Sequence, residues 1–554
     1  MSELLPALGQ ILLLVLLLVA AVPPLGRHLA HTYSSPAHWR VERGTYRVLR
    51  LDPDADQTWR VYALSVLGFS LVGIVALYAL GRLQELLPLS LGRAGLPADG
   101  AWNTAVSFVT NTNWQWYSGE VALGHLMQMS GLTVQNFVSA ATGMAVAAAL
   151  ARGLARSRAE GRVGNFFVDL VRGVVRVLLP IAAVSAVLMA LAGVVQNFLA
   201  PVAMRTLDGG TQMLTGGPVA SQEAIKQLGT NGGGFFNVNS AHPFENPTPL
   251  TNLLAIFLLL LIPFAMAWAF GHLVGDRRQG AAVLAVMAVL LLVGVGLLTW
   301  AEMAGPGTAP QLAGGALEGK ETRFGTAGSA LFAAATTGTS TGAVNAMHDS
   351  LTAPGGGVAM LLMQLGEIAP GGVGSGLYGM LVLAVVTVFL CGLMVGRTPE
   401  YLGKKIGQRE IVLVAGYVLA TPLVLLTGVA VAVTAPAGLA GLQETGPHGL
   451  SEIVYAVTSA SNNNGSAFGG LTTGTPFWNT LLGLCMLLGR FLPIVLVLAL
   501  AGRFATQQPA PPGAGTLPTH RPLFVVLLAG VALVLVGLTY VPVLTLGPIV
   551  ESLA

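Results

Sequence analysis

Four short clusters of small polar residues stand out in an otherwise apolar chain: Ser107–Asn113, Gln227–Gly232, Ala335–Gly342 and Thr458–Gly465. Their anchor residues Asn113, Gly232, Gly342 and Gly465 lie 119, 110 and 123 residues apart, a near-regular period that predicts an internal fourfold repeat. A partly dehydrated monovalent cation needs neutral oxygens at close range, supplied by backbone carbonyls in turns tight enough to aim them at one point. Glycine at 232, 342 and 465 permits the dihedrals such turns require. The turns Thr110–Gln115, Gly229–Gly234, Thr337–Gly342 and Ser459–Gly465 contain no Asp or Glu, which argues against a carboxylate-ringed divalent-cation filter. Side chains of Thr112, Asn113, Thr230, Asn231, Ser340, Asn463 and Asn464 brace the turns in this reading rather than serve as ligands.

The elements that must hold these turns are membrane helices. Of 554 residues, 54% are hydrophobic and 9% charged, a balance that no soluble surface carries. The 71 glycines and 31 prolines suit closely packed, interrupted membrane helices. Apolar runs long enough to cross a bilayer are predicted at about 6–25, 62–80, 130–151, 173–199, 251–274, 281–301, 376–395, 411–434, 480–500 and 523–548. No basic stretch precedes the first, so it reads as a retained helix rather than a signal peptide. Connections after the odd-numbered spans hold twenty Lys and Arg, including Arg397, and the others six, which predicts both termini outside. The four long connections, 81–129, 200–250, 302–375 and 435–479, then all lie outside, each carrying one polar cluster.

Each repeat reads as span, pore helix, polar turn and span, with pore helices expected near 102–109, 221–228, 327–335 and 451–457. Their C-termini would each present about half a negative charge to the ion. The expected divisions are residues 1–61 for an N-terminal helix and its cytoplasmic loop, then repeats at 62–172, 173–280, 281–410 and 411–505. Residues 506–554 form a C-terminal helix in the same scheme. Arg490, inside the ninth span, carries a charge costing ~2.5–3.5 kcal/mol at mid-bilayer and so calls for a functional reading, as a barrier beneath the turns. Gln135 and Asn136 on the third span are weaker pore-facing candidates.

The net charge of +3 is small and dispersed, so no nucleic-acid groove is expected. Cys391 and Cys485 both lie in apolar runs, and His125, His242 and His348 read as hydrogen-bonding loop residues rather than metal ligands. No phosphate loop of the GxxxxGK[ST] form is present, and no cytoplasmic connection is long enough for a nucleotide-binding domain. The chain is therefore expected to be no enzyme by itself.

Thr110–Gln115, Gly229–Phe236 continuing to His242–Thr248, Gly342–Asp349 and Ser461–Phe468 are unusual strings, and through them the sequence resembles the KdpA family from end to end. That family comprises the potassium-binding, channel-like subunits of Kdp-type potassium-transporting ATPases. The resemblance implies an all-α integral membrane fold of the potassium-transporter superfamily, with four span–pore-loop–span units and an extra helix at each end. It implies K+ as the transported ion and a filter formed by Asn111, Thr112, Asn113, Thr230, Asn231, Gly232, Ser340, Thr341, Gly342, Asn463, Asn464 and Gly465. Gln115 would sit beside the filter, and Arg490 would bar leakage through the pore. The implied partners are a P-type ATPase catalytic subunit, a small single-span subunit and a further small membrane peptide, in a bacterial inner membrane. The ion would pass through an intramembrane tunnel to the ATPase subunit. The alternative is a stand-alone or gradient-driven potassium channel of the same superfamily.

Overall fold

The computed structural model describes residues 4–304, 317–396, 399–511 and 516–553; Arg397 lies outside them. Among the described residues, ten helices are long and apolar enough to cross a membrane. They are Leu5–Ser34, Trp59–Leu86, Met127–Ala155, Phe166–Leu191, Pro249–Leu273, Arg277–Ala304, Ser375–Met394, Gln408–Thr434, Pro476–Thr506 and Pro522–Leu553. Burial sorts them into two rings. In spans three, five, seven and nine, 83%, 83%, 67% and 61% of the most apolar window is buried, against 22%, 33%, 50% and 28% in spans two, four, six and eight. The second helix of every repeat is therefore inner and the first outer. Small residues permit this crowding. A Cβ on Gly489 of span nine would overlap the carbonyl of Ser461, and one on Gly143 of span three the carbonyl of Val373.

Four shorter helices, Ala98–Val109, Val219–Leu228, Gly325–Gly338 and Gly446–Ser461, enter from one end of the bundle and stop inside it. All four begin a few residues before the expected starts. Span one packs along span five, and the ninth span lies between the first repeat's helices and the eighth span.

Two expectations need correction. The fourth span covers Phe166–Leu191 rather than 173–199. Asn165 caps it two turns early, its Oδ1 accepting from Phe167 N at 3.1 Å, and Asp169, a charge within those turns, is paired with Arg152 at 2.6 Å. At its other end the chain turns out of the helix at Gly193, with φ +103°. The second correction concerns repeat three, whose second helix is in two pieces. Ala353–Gln364 precedes Ser375–Val395, and Leu365–Gly374 between them is irregular backbone.

The C-terminal helix is tied to the pore end by His448, whose Nδ1 lies 2.8 Å from Glu551 Oε1 and whose Nε2 lies 3.1 Å from Asp349 Oδ1. The hydrogen bond to Asp349, with that to Glu551, pushes the His448 pKa up to about 9, against the opposing effect of burial. An unfolded histidine titrates near ~6.5, so this latch contributes fully below that pH and is lost as pH rises through about 9. The Tm of the protein should therefore fall between pH 6.5 and 9.5, and His448→Gln should flatten that slope. An equal slope in the variant would contradict the assignment.

Candidate functional site: four carbonyl-lined turns

Each pore helix ends in the same way. The amide of the middle turn residue donates to a carbonyl five residues back: Thr112 to Ser107, Asn231 to Lys226, Thr341 to Thr336 and Asn464 to Ser459, at 2.8–3.1 Å. This aligns four triplets: Asn111-Thr112-Asn113, Thr230-Asn231-Gly232, Ser340-Thr341-Gly342 and Asn463-Asn464-Gly465. In all of them the first and third residues have positive φ. The values are +66° and +58° in the first repeat, +46° and +91° in the second, +55° and +80° in the third, and +53° and +98° in the fourth. Alternating left-handed residues turn successive carbonyls toward the same side, where an extended strand would send them to opposite sides. A line of carbonyl oxygens from each repeat results.

The four lines close into a ring in chain order. A Cβ on Gly232 would overlap the carbonyl oxygen of Thr341, one on Gly342 that of Asn464, and one on Gly465 that of Thr112. Between the first and second repeats the link is a side chain: Asn111 Nδ2 donates to Thr230 O at 2.8 Å. Ser340 Oγ lies 2.8 Å from Asn463 O, and Asn463 Nδ2 donates to Thr112 Oγ1 at 3.0 Å. Thr110 and Thr112 pair their hydroxyls at 2.8 Å, as Thr339 and Thr341 do at 2.7 Å. Asn464 Nδ2 donates to Thr336 O at 3.0 Å, and the Asn231 amide lies against Asn111 and Ser139. These contacts fit bracing. Asn113, where the other repeats have glycine, donates from Nδ2 to Asn136 Oδ1 at 2.7 Å, so its side chain leaves the ring toward the third span. Gln115 Oε1 accepts from Gly234 N at 2.8 Å, stitching the first repeat to the segment after the second turn.

Above the ring lies a vestibule of about 730 Å³ lined by Asn113, Gln115, Gly233, Gly342 and Gly465. Gly319, Lys320 and Glu321 also line it, whereas the hairpin Val202–Arg205/Thr211–Leu214 does not. Beneath the ring lies the broken segment of repeat three. Val373 N donates to Thr230 Oγ1 at 2.9 Å, and the Ser340 hydroxyl donates to Glu367. Glu367, Gln364, Ser375, Tyr378, Tyr417, Asn463 and Arg490 line a cavity of about 100 Å³ on that side. Arg490 is 5% exposed, and among the described residues no carboxylate lies within ion-pair distance of it; Glu367 shares its cavity as the nearest source of countercharge along the lining.

The family model described as Potassium-transporting ATPase A subunit (KdpA) matches residues 12–553. The chain belongs to the KdpA family. It is 63% identical over 553 residues to a protein of Kineococcus radiotolerans, covering 100% of this chain and 99% of that one. It is 59% identical over 554 residues to one of Streptomyces coelicolor, covering 100% of both; each is named Potassium-transporting ATPase potassium-binding subunit. The crystal structure of the potassium transporter TrkH from Vibrio parahaemolyticus shares the fold, with a TM-score of 0.55 at 14% identity over 87% of this chain and 98% of that chain.

Within this KdpA chain several site residues escape sequence reasoning. Lys226, on the second pore helix, is fully buried, with Nζ 3.0 Å from each of Glu245 Oε2, Asn239 Oδ1 and Ser240 Oγ and also paired with Glu223. Glu245 in turn accepts from Phe236 N at 2.9 Å, fixing the backbone just past Gly232–Gly234. The one signal in the sequence was a lysine inside the expected pore helix 221–228. Glu367 was hidden because Leu365–Gly374, rich in Gly and containing Pro370, reads as loop. His125, His242 and His348 are each hydrogen-bonded: to Leu199 O at 3.1 Å, to Phe244 N at 3.0 Å and to Tyr455 Oη of the fourth pore helix at 2.7 Å. Thr230→Val should leave the Val373 amide without its acceptor, at about 1–3 kcal/mol for a buried donor. We expect faster amide exchange over residues 371–374 in that variant; unchanged exchange would mean that Thr230 does not hold the floor.

Proposed function

We propose that this chain is the potassium-binding and translocating subunit of an ATP-driven uptake complex. The observation that carries the reading is the ring of four triplets with alternating left-handed residues and neutral oxygens. Four pore-helix C-termini directed at it add attraction for a cation without a carboxylate that would favour calcium. The twelve triplet residues form the filter, with Gln115 as a brace at its rim.

The filter faces outside, with both termini on that side, in line with the distribution of Lys and Arg. Residues 62–172, 173–280, 281–410 and 411–505 are the four repeats, flanked by 1–61 and 506–554. Arg490 opposes direct passage beneath the filter. The cavity holding Glu367 offers a sideways start toward a P-type ATPase subunit, which supplies the hydrolysis; the small single-span subunit and a further small membrane peptide complete the complex. The setting is a bacterial inner membrane.

The test is ATP hydrolysis by the complex that copurifies with the tagged chain in mild detergent, titrated with potassium and then sodium. Hydrolysis stimulated by potassium and weakened at the same concentrations by Gly232→Asp supports the reading. A chain that purifies alone and conducts potassium down its gradient would instead be a stand-alone channel.

A further inference from the structure

We propose that Tyr455 of the fourth pore helix is a positioning residue for ion discrimination, holding the fourth filter triplet through Ser466 and Asn464. The inference rests on the ring being the potassium filter. Asn464 O is one of the ring oxygens, since a Cβ on Gly342 would overlap it. The Asn464 side chain is gripped at both amide atoms. Its Nδ2 donates to Thr336 O of the third pore helix at 3.0 Å, and its Oδ1 lies 2.6 Å from Ser466 Oγ and 3.1 Å from Ser466 N. Ser466 Oγ is in turn 2.8 Å from Tyr455 Oη, which is 2.7 Å from His348 Nδ1. All four of these residues are at most 2% exposed.

Proton counting gives this chain of contacts a direction. Asn464 Oδ1 can only accept, so Ser466 donates its single hydroxyl proton there; the other acceptor in reach, Met363 Sδ, is 3.9 Å away. Ser466 Oγ therefore accepts from Tyr455 Oη, and Oη, its own proton engaged, accepts from His348 Nδ1–H. Burial, with the charge of Lys320, pushes the His348 pKa down to about 4, so the ring is neutral and carries one proton, at Nδ1. The chain runs from His348 through Tyr455 and Ser466 and ends on the filter. Phe468, stacked on the Tyr455 ring at 4.2 Å, fixes that ring independently of Oη. The other quadrants lack the device: in place of Tyr455 and Ser466 they have Asn103 and Trp114, Gln222 and Gly233, and Phe332 and Ala343. A carbonyl held this firmly resists the expansion that a larger monovalent ion demands, one route by which a carbonyl ring tells ions apart.

The test is ATP hydrolysis by the purified complex, titrated separately with potassium and with rubidium. Tyr455→Phe keeps the stack with Phe468 and removes only Oη. It should lower the ratio of half-saturating rubidium to half-saturating potassium by about three- to tenfold, the contribution of one hydrogen bond. Ser466→Ala should do the same and keeps the test open if Tyr455→Phe does not fold. Because both act through one chain, the double variant should match the larger single effect. His348→Leu, at the donor end, should lower the Tm and leave the ratio, since Tyr455 keeps its proton for Ser466. A ratio unchanged in Tyr455→Phe and Ser466→Ala, effects that add in the double variant, or an equal loss in His348→Leu would overturn the role. Gly232→Asp separates this inference from the one beneath it. A potassium dependence altered by Gly232→Asp with a ratio indifferent to Tyr455→Phe overturns the role of Tyr455 alone, whereas indifference to both overturns the filter.

Discussion

Gly465→Ala is expected to weaken the apparent potassium affinity of the complex by about five- to a hundredfold while leaving its assembly intact. Gly465 has φ +98°, and a Cβ there would overlap the carbonyl oxygen of Thr112, one of the oxygens that line the ring. Such backbone strain costs on the order of 1–3 kcal/mol, and each ~1.4 kcal/mol is a factor of ten in an equilibrium constant. In the proposed filter the cost falls on ion binding, because the methyl displaces a carbonyl oxygen of the ring at the junction of the fourth and first repeats. Gly296→Ala is the control, since a Cβ there meets nothing within 4 Å. Potassium titration of ATP hydrolysis reads the shift; equal half-saturation in Gly465→Ala and the unmodified protein would remove Thr112 O from the ion's coordination.

Lys226→Met should have the largest effect on the folded protein. The ammonium is enclosed with Glu223 and Glu245, and all three side chains are at most 2% exposed. Removing one partner from a buried ion cluster costs about 3–5 kcal/mol, because the remaining charges lose their compensation without regaining water. That is a large share of the roughly 5–15 kcal/mol that stabilises a typical domain. The yield of monodisperse complex should fall sharply, and adding Glu245→Gln should recover part of it by cancelling a charge. A single variant as stable to heating as the parent, or a double variant worse than the single, would show that the cluster does not brace the second turn.

Hydropathy exposed all ten spans because each must satisfy its backbone within the hydrocarbon, a constraint visible in composition alone. The turns were legible because neutral oxygens and left-handed backbone need small residues, and Gly232, Gly342 and Gly465 announce them. Asn111, Thr230, Ser340 and Asn463 also adopt positive φ, which their residue types did not reveal. What stayed hidden is tertiary in origin. Asp169 fell outside the expected fourth span because its partner, Arg152, comes from the end of the third. Lys226 and Lys320 looked like solvated loop cations, yet Lys320 is buried 2.9 Å from Glu302. Leu365–Gly374 looked like the approach to a span, and only its contacts with Thr230 and Ser340 place it beneath the ring.

That interrupted helix belongs to one repeat of four. In an assembly of four identical chains, every gap beneath the ring would be copied four times, and a change at one position would alter every wall at once. A ring written along a single polypeptide escapes that coupling. Asn113 can differ from Gly232, Gly342 and Gly465, and the third quadrant can hold Glu367 beneath the ring. Rotational degeneracy is thereby broken on the far side of the turns and retained within them, which gives an otherwise axial pore a sense of direction within the plane of the membrane.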